Sequence, residues 1–188
     1  MSILKAIEFA ANAHLGYYRK GSKVPYISHP FEVAKILATA VDTETNEDLI
    51  CAGILHDTVE DTDTNLAVIR QEFGDHVAAL VLSDSEDKSL PWEARKEHTI
   101  SFLKNEASHE MRLLACADKL SNMRSIHNDY EKIGDEVFDI FVRGKNKQAW
   151  YYRGIVESLS SLKDYAMYQE LKCLTEEIFK ESKSVIWQ

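Results

Sequence analysis

The chain has 188 residues, 45% of them hydrophobic and 28% charged, and a net charge of −9, values ordinary for one globular domain with a sizeable core. No stripe of Lys and Arg forms an electrostatic footprint for duplex nucleic acid, and no apolar run approaches the ~20 residues that span a bilayer. The start, Met1 to Glu8, mixes acidic and basic groups where a secretory signal is basic and then apolar, so the protein is expected to be cytoplasmic, with Cys51, Cys116 and Cys173 as reduced thiols.

Seven Gly, three Pro and long stretches of 3.6-residue apolar spacing predict an all-α fold. Ser2 can cap a first helix with Leu4, Ile7, Ala11 and Leu15 on one face and Gly16 as its stop. A loop over 17–28 follows. Pro30 fits the first position of a second helix, with Val33, Ile36, Leu37 and Ala40 inward. Thr45-Asn46-Glu47-Asp48 resembles a capping box and opens a third helix that runs into His56-Asp57. Asp63 or Thr64 can cap the next helix through Phe73; Gly74 stops it, and Asp75 starts another through Leu82. After an acidic connector at 83–89, Pro91 opens a helix to about Asn105, Ser108 caps a long one through Ile126, and two helices follow near 145–162 and 164–183. Without a repeat, low-complexity tract or linker, residues 1–188 read as one domain, a helical bundle with its core over 3–162 and a C-terminal helix over 164–183.

Chemistry concentrates in His56-Asp57-Thr58-Val59-Glu60-Asp61, which follows the apolar segment Leu49 to Leu55. A helix continued through this run puts His56 with Glu60 and Asp57 with Asp61 as i,i+4 neighbours. Downstream, Asp118 interrupts the apolar stretch Leu113 to Leu120, where an ionised carboxylate needs a cation or a basic partner. Asp118, Asn122 and Ser125 form one polar stripe at i, i+4 and i+7. His29, held just before Pro30 at a helix start, can aim inward. Together His29, His56, Asp57 and Asp118 make a mixed nitrogen and oxygen donor set suited to Mn2+, Fe2+ or Zn2+. Four protein ligands leave room for water, as metal-assisted hydrolysis requires, and Glu60 and Asp61 can orient or deprotonate that water or protonate a leaving group. His14, His76, His98, His109 and His127 stand in charged or surface-patterned contexts and are not expected to bind metal.

The order His29, His56-Asp57, Asp118 resembles the HD phosphohydrolase superfamily. Arg19-Lys20-Gly21, Pro25-Tyr26-Ile27-Ser28-His29-Pro30, His56 to Thr62, Lys88-Ser89-Leu90-Pro91 and Ala117 to Arg124 further resemble the hydrolase domain of RelA/SpoT-type proteins, over nearly the whole chain. The chain is similar to a stand-alone small alarmone hydrolase with a single HD-domain helical bundle. The resemblance implies manganese-dependent removal of the 3′-pyrophosphate from guanosine 3′,5′-bis(diphosphate) and its pentaphosphate form. It implies that His29, His56, Asp57 and Asp118 bind the metal and that Glu60 and Asp61 serve the attacking water. Arg19 would stack on the base, Lys20 would meet a phosphate, and Asn122 with Ser125 would hold the ribose or 3′ phosphates.

Two departures mark the chain. Ser125 stands where many relatives have Thr or Asp, and the segment from His127 to Lys147 matches poorly where residues near the 5′ phosphates and base are expected. Lys147, Trp150 and Tyr151 are candidates there, with core packing the alternative for the two aromatics. A polyphosphate needs local positive charge on a −9 chain, and besides the metal the sources are Arg19, Lys20, Lys23, Lys119, Arg124, Arg143, Lys145 and Lys147. Two rival readings stay open: an HD-type nucleotidase or phosphatase acting on another nucleotide (an adenine alarmone, a deoxynucleotide or NADPH), and a catalytically silent nucleotide-binding module.

Overall fold

The computed structural model describes residues 2–180. Its α-helices are α1 (Ile3–Ala13), α2 (Ser28–Ala40), α3 (Glu47–Leu55), α4 (Thr58–Asp61), α5 (Leu66–Asp84), α6 (Trp92–Asn105), α7 (His109–Ile133), α8 (Gly144–Ser158) and α9 (Ala166–Ile178), with 3-10 turns at Gly134–Ile140 and Ser160–Leu162. No strand occurs among the described residues, where Tyr18 and Pro25 make an isolated antiparallel bridge. The fold is all-α, as the apolar periodicity predicts. Two compact units are distinguished, Met1–Asp87 with Ala107–Asp118, and Lys88–Glu106 with Lys119–Gln188.

In the first unit α3 is the central element. Every residue from Leu49 to Leu55 is buried, so the uninterrupted apolar run is a helix covered on all sides, by α1, α2 and α5. Each such Leu or Ile contributes about 1.5–3 kcal/mol on burial. Gly53 lets α2 come close, since a Cβ there would meet Leu37 Cδ1 at 2.7 Å. The α1 face differs from the expected one. Leu4 and Leu15 are 62% and 81% exposed, and the helix instead buries Ala6, Ala10 and, just past its end, His14. Small residues at i and i+4 permit tight packing, which the hydrophobic count alone does not register. Gly16 takes φ +83, the left-handed stop expected of it.

The expected break at Gly74 is present as a residue at φ 87 inside α5, but the cap of that helix is Asn65, whose side chain accepts from the Ala67 N–H, in place of Asp63 or Thr64. Helix α3 stops at Leu55, and His56-Asp57 form a turn before α4. A helix continuing unbroken from α3 through Asp61 does not form, although the Asp61 N–H still donates to the Asp57 carbonyl at 2.9 Å.

The second unit packs α6 and α9 against α8. Gly154 allows the α6 contact, because a Cβ there would clash with Ile100 Cδ1. Phe138 lies 5.5 Å from Phe179, which stacks on Tyr152. Ser108 caps α7 by accepting from the Met111 N–H at 3.2 Å, as expected, but the helix runs on to Ile133. The end of the expected helix over 164–183 lies outside the described residues.

Candidate metal centre

His29 enters from the first turn of α2, where Pro30 is tolerated because its missing N–H has no intrahelical partner there. His56 and Asp57 sit in the turn between α3 and α4. The Thr58 hydroxyl stabilises that turn by donating to the Leu55 carbonyl at 2.6 Å, one of the acceptors left open at a helix end. Asp118 projects from α7 among buried Leu114, Cys116, Ala117 and Leu120, and is itself 3% exposed. All four residues belong to the first unit.

Their donor atoms converge. His29 Nε2 and His56 Nε2 lie 3.3 Å apart. Asp118 Oδ1 is 3.1 Å from His29 Nε2 and 3.8 Å from His56 Nε2, and Asp57 Oδ2 is 3.4 Å and 3.0 Å from the same two atoms. Ligand atoms of His29, His56 and Asp118 all fall within 4.8 Å of one another, a grouping that can hold a metal ion. His56 Nδ1 is 2.9 Å from the Gly53 carbonyl, which can only accept, so Nδ1 carries a proton and Nε2 is the ring atom that could ligate a metal. Two imidazoles and the Asp118 carboxylate grouped this closely, with Asp57 Oδ2 against both rings, fit a divalent transition metal.

Charge at the site follows from this crowding. Burial alone would lower the His56 pKa, but the carboxylates of Asp57, Asp118 and Asp84 outweigh it and push the imidazole up to about 10. Burial likewise acts to raise Asp57, and the imidazoles of His56 and His29 overcome it, holding the carboxyl well below its usual range. The proton on the His56 imidazole thus stands where a cation would.

Glu60 and Asp61 lie half-buried on α4 beside this cluster. Glu60 Oε2 accepts from the Glu86 backbone N–H at 3.1 Å, so the acidic connector, readable in sequence as a solvated segment, reaches the site. Sequence reasoning also passed over Tyr26. Its hydroxyl is 2.6 Å from Asp57 Oδ2 and 3.2 Å from Asp61 Oδ2. Burial, the two carboxylates and the hydrogen bond to Asp57 raise its pKa, so the phenol is a neutral donor. His14, expected at the surface, is 3% exposed and lies tilted against Tyr26 with ring centroids 4.9 Å apart. Neither of its ring nitrogens has a hydrogen-bond partner among the described residues, and burial lowers its pKa despite Asp57 and Asp61. The spacing Ala6, Ala10, His14 at i, i+4 and i+8 was the signal for its burial.

Arg19 and Lys20 lie in a tight turn closed by the Arg19 N–H bond to the Val24 carbonyl, with Gly21 at φ 74. The Arg19 guanidinium lies over the Tyr26 ring at 5.7 Å, beside the ligand cluster. Asn122 and Ser125, both half-buried, follow Asp118 on α7 by four and seven residues and belong to the second unit. In that unit Lys147 pairs with Glu93 at 2.6 Å, Lys145 with Asp135 at 2.6 Å and Arg124 with Glu170 at 2.6 Å, so these cations already have carboxylate partners. Tyr151 is buried beside Trp92, which also meets Trp150.

Residues 6–148 match the HD domain family. The guanosine-3′,5′-bis(diphosphate) 3′-pyrophosphohydrolase MESH1 of Danio rerio is 38% identical over 126 residues, which cover 66% of this chain and 69% of that protein. The Homo sapiens MESH1 is 39% identical over 126 residues, with the same shares covered. Among solved structures, lmo0812 from Listeria monocytogenes EGD-e aligns with a TM-score of 0.75 at 39% identity, covering 81% of this chain and 99% of that one. A metazoan ortholog of SpoT, described as hydrolysing ppGpp, aligns with a TM-score of 0.70 at 26% identity over 97% and 96% of the two chains. No helix among the described residues is long and apolar enough to cross a membrane. The chain belongs to the HD domain family and, within it, to the group that holds the MESH1 proteins.

Proposed function

We propose that this protein is a manganese-dependent hydrolase that removes the 3′-pyrophosphate of guanosine 3′,5′-bis(diphosphate) and its pentaphosphate form, giving GDP or GTP and pyrophosphate. The observation that carries the reading is the convergence of His29, His56 and Asp118 ligand atoms within 4.8 Å, with Asp57 against both imidazoles, in a chain 38% identical to a MESH1 protein. In this reading His29, His56, Asp57 and Asp118 hold the cation. A bound Mn2+ supplies Lewis acidity toward a phosphoryl oxygen and lowers the pKa of water.

The protein's own groups do the rest. Water forms a bond to the phosphorus next to the 3′ oxygen, the bond from that phosphorus to the 3′ oxygen breaks, and the oxygen takes a proton. Glu60, anchored by the Glu86 N–H, and Asp61, beside the Tyr26 hydroxyl, are the carboxylates that receive and return these protons. Arg19 brings a planar cation suited to stacking on a flat base, Lys20 meets a phosphate, and Asn122 and Ser125 bind the ribose or 3′ phosphates. We further read residues 1–188 as one hydrolase domain.

The test is metal-stripped protein, reloaded with Mn2+ and incubated with guanosine 3′,5′-bis(diphosphate), with products resolved by chromatography. GDP and pyrophosphate are expected. Intact substrate beside protein that binds Mn2+ would overturn the substrate assignment and redirect the search to other phosphorylated nucleotides.

A further inference from the structure

Asp57 and Asp61 sit one turn apart, yet the function proposed above gives them different work: one holds the cation and the other handles a proton. Both have a carboxylate oxygen in reach of the same phenol, Asp57 Oδ2 at 2.6 Å and Asp61 Oδ2 at 3.2 Å from Tyr26 Oη. A phenol has one hydrogen to donate and an ionised carboxylate can only accept, so the hydroxyl serves one of the two at a time. The shorter distance assigns that hydrogen to Asp57 in the metal-free site.

The ring that carries the hydroxyl is held on several sides. His14 lies tilted against it at 4.9 Å, His29 meets it edge-on at 5.8 Å, and the Arg19 guanidinium lies 5.7 Å from its centre. Its backbone is fixed as well, since the Tyr26 N–H donates to the Tyr17 carbonyl at 2.8 Å and the Tyr26 carbonyl accepts from the His29 N–H at 2.9 Å. A donor locked this firmly beside two carboxylates sets where each can point.

We propose that Tyr26 is a positioning residue that keeps the two carboxylates in separate roles, holding Asp57 Oδ2 toward the imidazoles as a ligand and retaining Asp61 beside the cluster as a proton acceptor. Outer partners of metal ligands alter metal affinity by about 10–100-fold when removed, and a displaced acceptor costs turnover without changing substrate binding.

The inference rests on the reading of His29, His56, Asp57 and Asp118 as ligands, and its test separates the two. Mn2+ titration of metal-free protein, steady-state kinetics and thermal melting are measured for wild type, Tyr26→Phe, Asp61→Asn and the double variant. Tyr26→Phe is expected to weaken Mn2+ binding about tenfold, to lower kcat with KM unchanged, and to melt close to wild type. In the Asp61→Asn background the same change weakens Mn2+ equally but removes little further turnover. Wild-type affinity and kcat in Tyr26→Phe, or a rise in KM alone, overturns the inference while leaving the metal site standing. Wild-type protein that binds no Mn2+ overturns both. Should Tyr26→Phe fail to fold, the crystal structure of the Mn2+-loaded wild type decides: the hydroxyl within hydrogen-bond reach of both Asp57 and Asp61 supports the role, and a hydroxyl out of reach of either carboxylate ends it.

Discussion

In the second unit Glu170 meets Arg124 through two bonds of 2.6 Å, Glu93 meets Lys147 and Asp135 meets Lys145, each at 2.6 Å. In the first unit Asp57 and Asp118 meet imidazoles instead, at 3.0–3.8 Å, and those imidazoles face each other at 3.3 Å. The first kind of arrangement is complete as it stands. The second sets two carboxylates against a pair of imidazoles, with the His56 ring holding a proton that a cation can replace. Carboxylate chemistry is alike in the two units; the partner decides whether a cluster is a strut or a site.

Removing a member of the histidine and aspartate cluster should do the most damage. Asp118→Ala is expected to lose Mn2+ binding and turnover together, with activity down roughly 10⁴-fold or more, beyond what general acid–base catalysis alone supplies. Next comes the carboxylate pair on α4. Glu60→Gln should keep Mn2+ affinity close to wild type while kcat falls about 10²–10⁴-fold, and lost Mn2+ binding in that variant would place Glu60 among the ligands.

Proton competition sharpens the contrast further. The His56 pKa, about 10 in the folded metal-free protein, lies above its ordinary value of 6.5. Its imidazolium therefore contributes stability that is fully present below pH ~6.5 and is lost as pH rises through about 10. Metal-free protein should melt lower at alkaline pH than at neutral pH, Mn2+ binding should release protons, and Mn2+ affinity should rise across that window. Asp57 has the opposite sign: its depressed pKa gives stability present at neutral pH and lost as pH falls through its folded value. Calorimetry in buffers of differing ionisation enthalpy measures the proton release, and its absence would contradict the charge account.

The smallest effect belongs to the second unit. Arg124 and Glu170 have side chains 34% and 41% exposed, so solvent screens the pair. Arg124→Ala should lower stability by about 1 kcal/mol or less and leave Mn2+ affinity unchanged. Loss of metal in this variant would break the division between the two kinds of charge cluster.

Local chemistry made much of the fold legible. Gly16, Gly74, Pro91 and Ser108 mark ends that depend on a residue's own φ, missing N–H or hydroxyl, and the helices stop or start at or beside them. The donor types His29, His56, Asp57 and Asp118 were readable too, because charged groups at the edge of apolar runs need a reason. What sequence could not supply was the partner set. Tyr26 reaches Asp57 and Asp61 across 31 and 35 residues, and Glu86 reaches Glu60 across 26, separations at which spacing says nothing. His14 was misread because its neighbours are exposed while its helix buries alanines, and Leu4 and Leu15 drew the apolar face to the wrong side. The turn at His56-Asp57 escaped because its stabilising bond, from the Thr58 hydroxyl to the Leu55 carbonyl, competes with a helix that the same residues could have continued.

The most direct test follows a single sample: metal-stripped wild-type protein and its Asp118→Ala variant, titrated with Mn2+ while pyrophosphate release from guanosine 3′,5′-bis(diphosphate) is recorded. A saturable Mn2+ site whose filling tracks pyrophosphate release in wild type, with both absent from Asp118→Ala, is the predicted result. Undiminished hydrolysis by metal-free Asp118→Ala would contradict it.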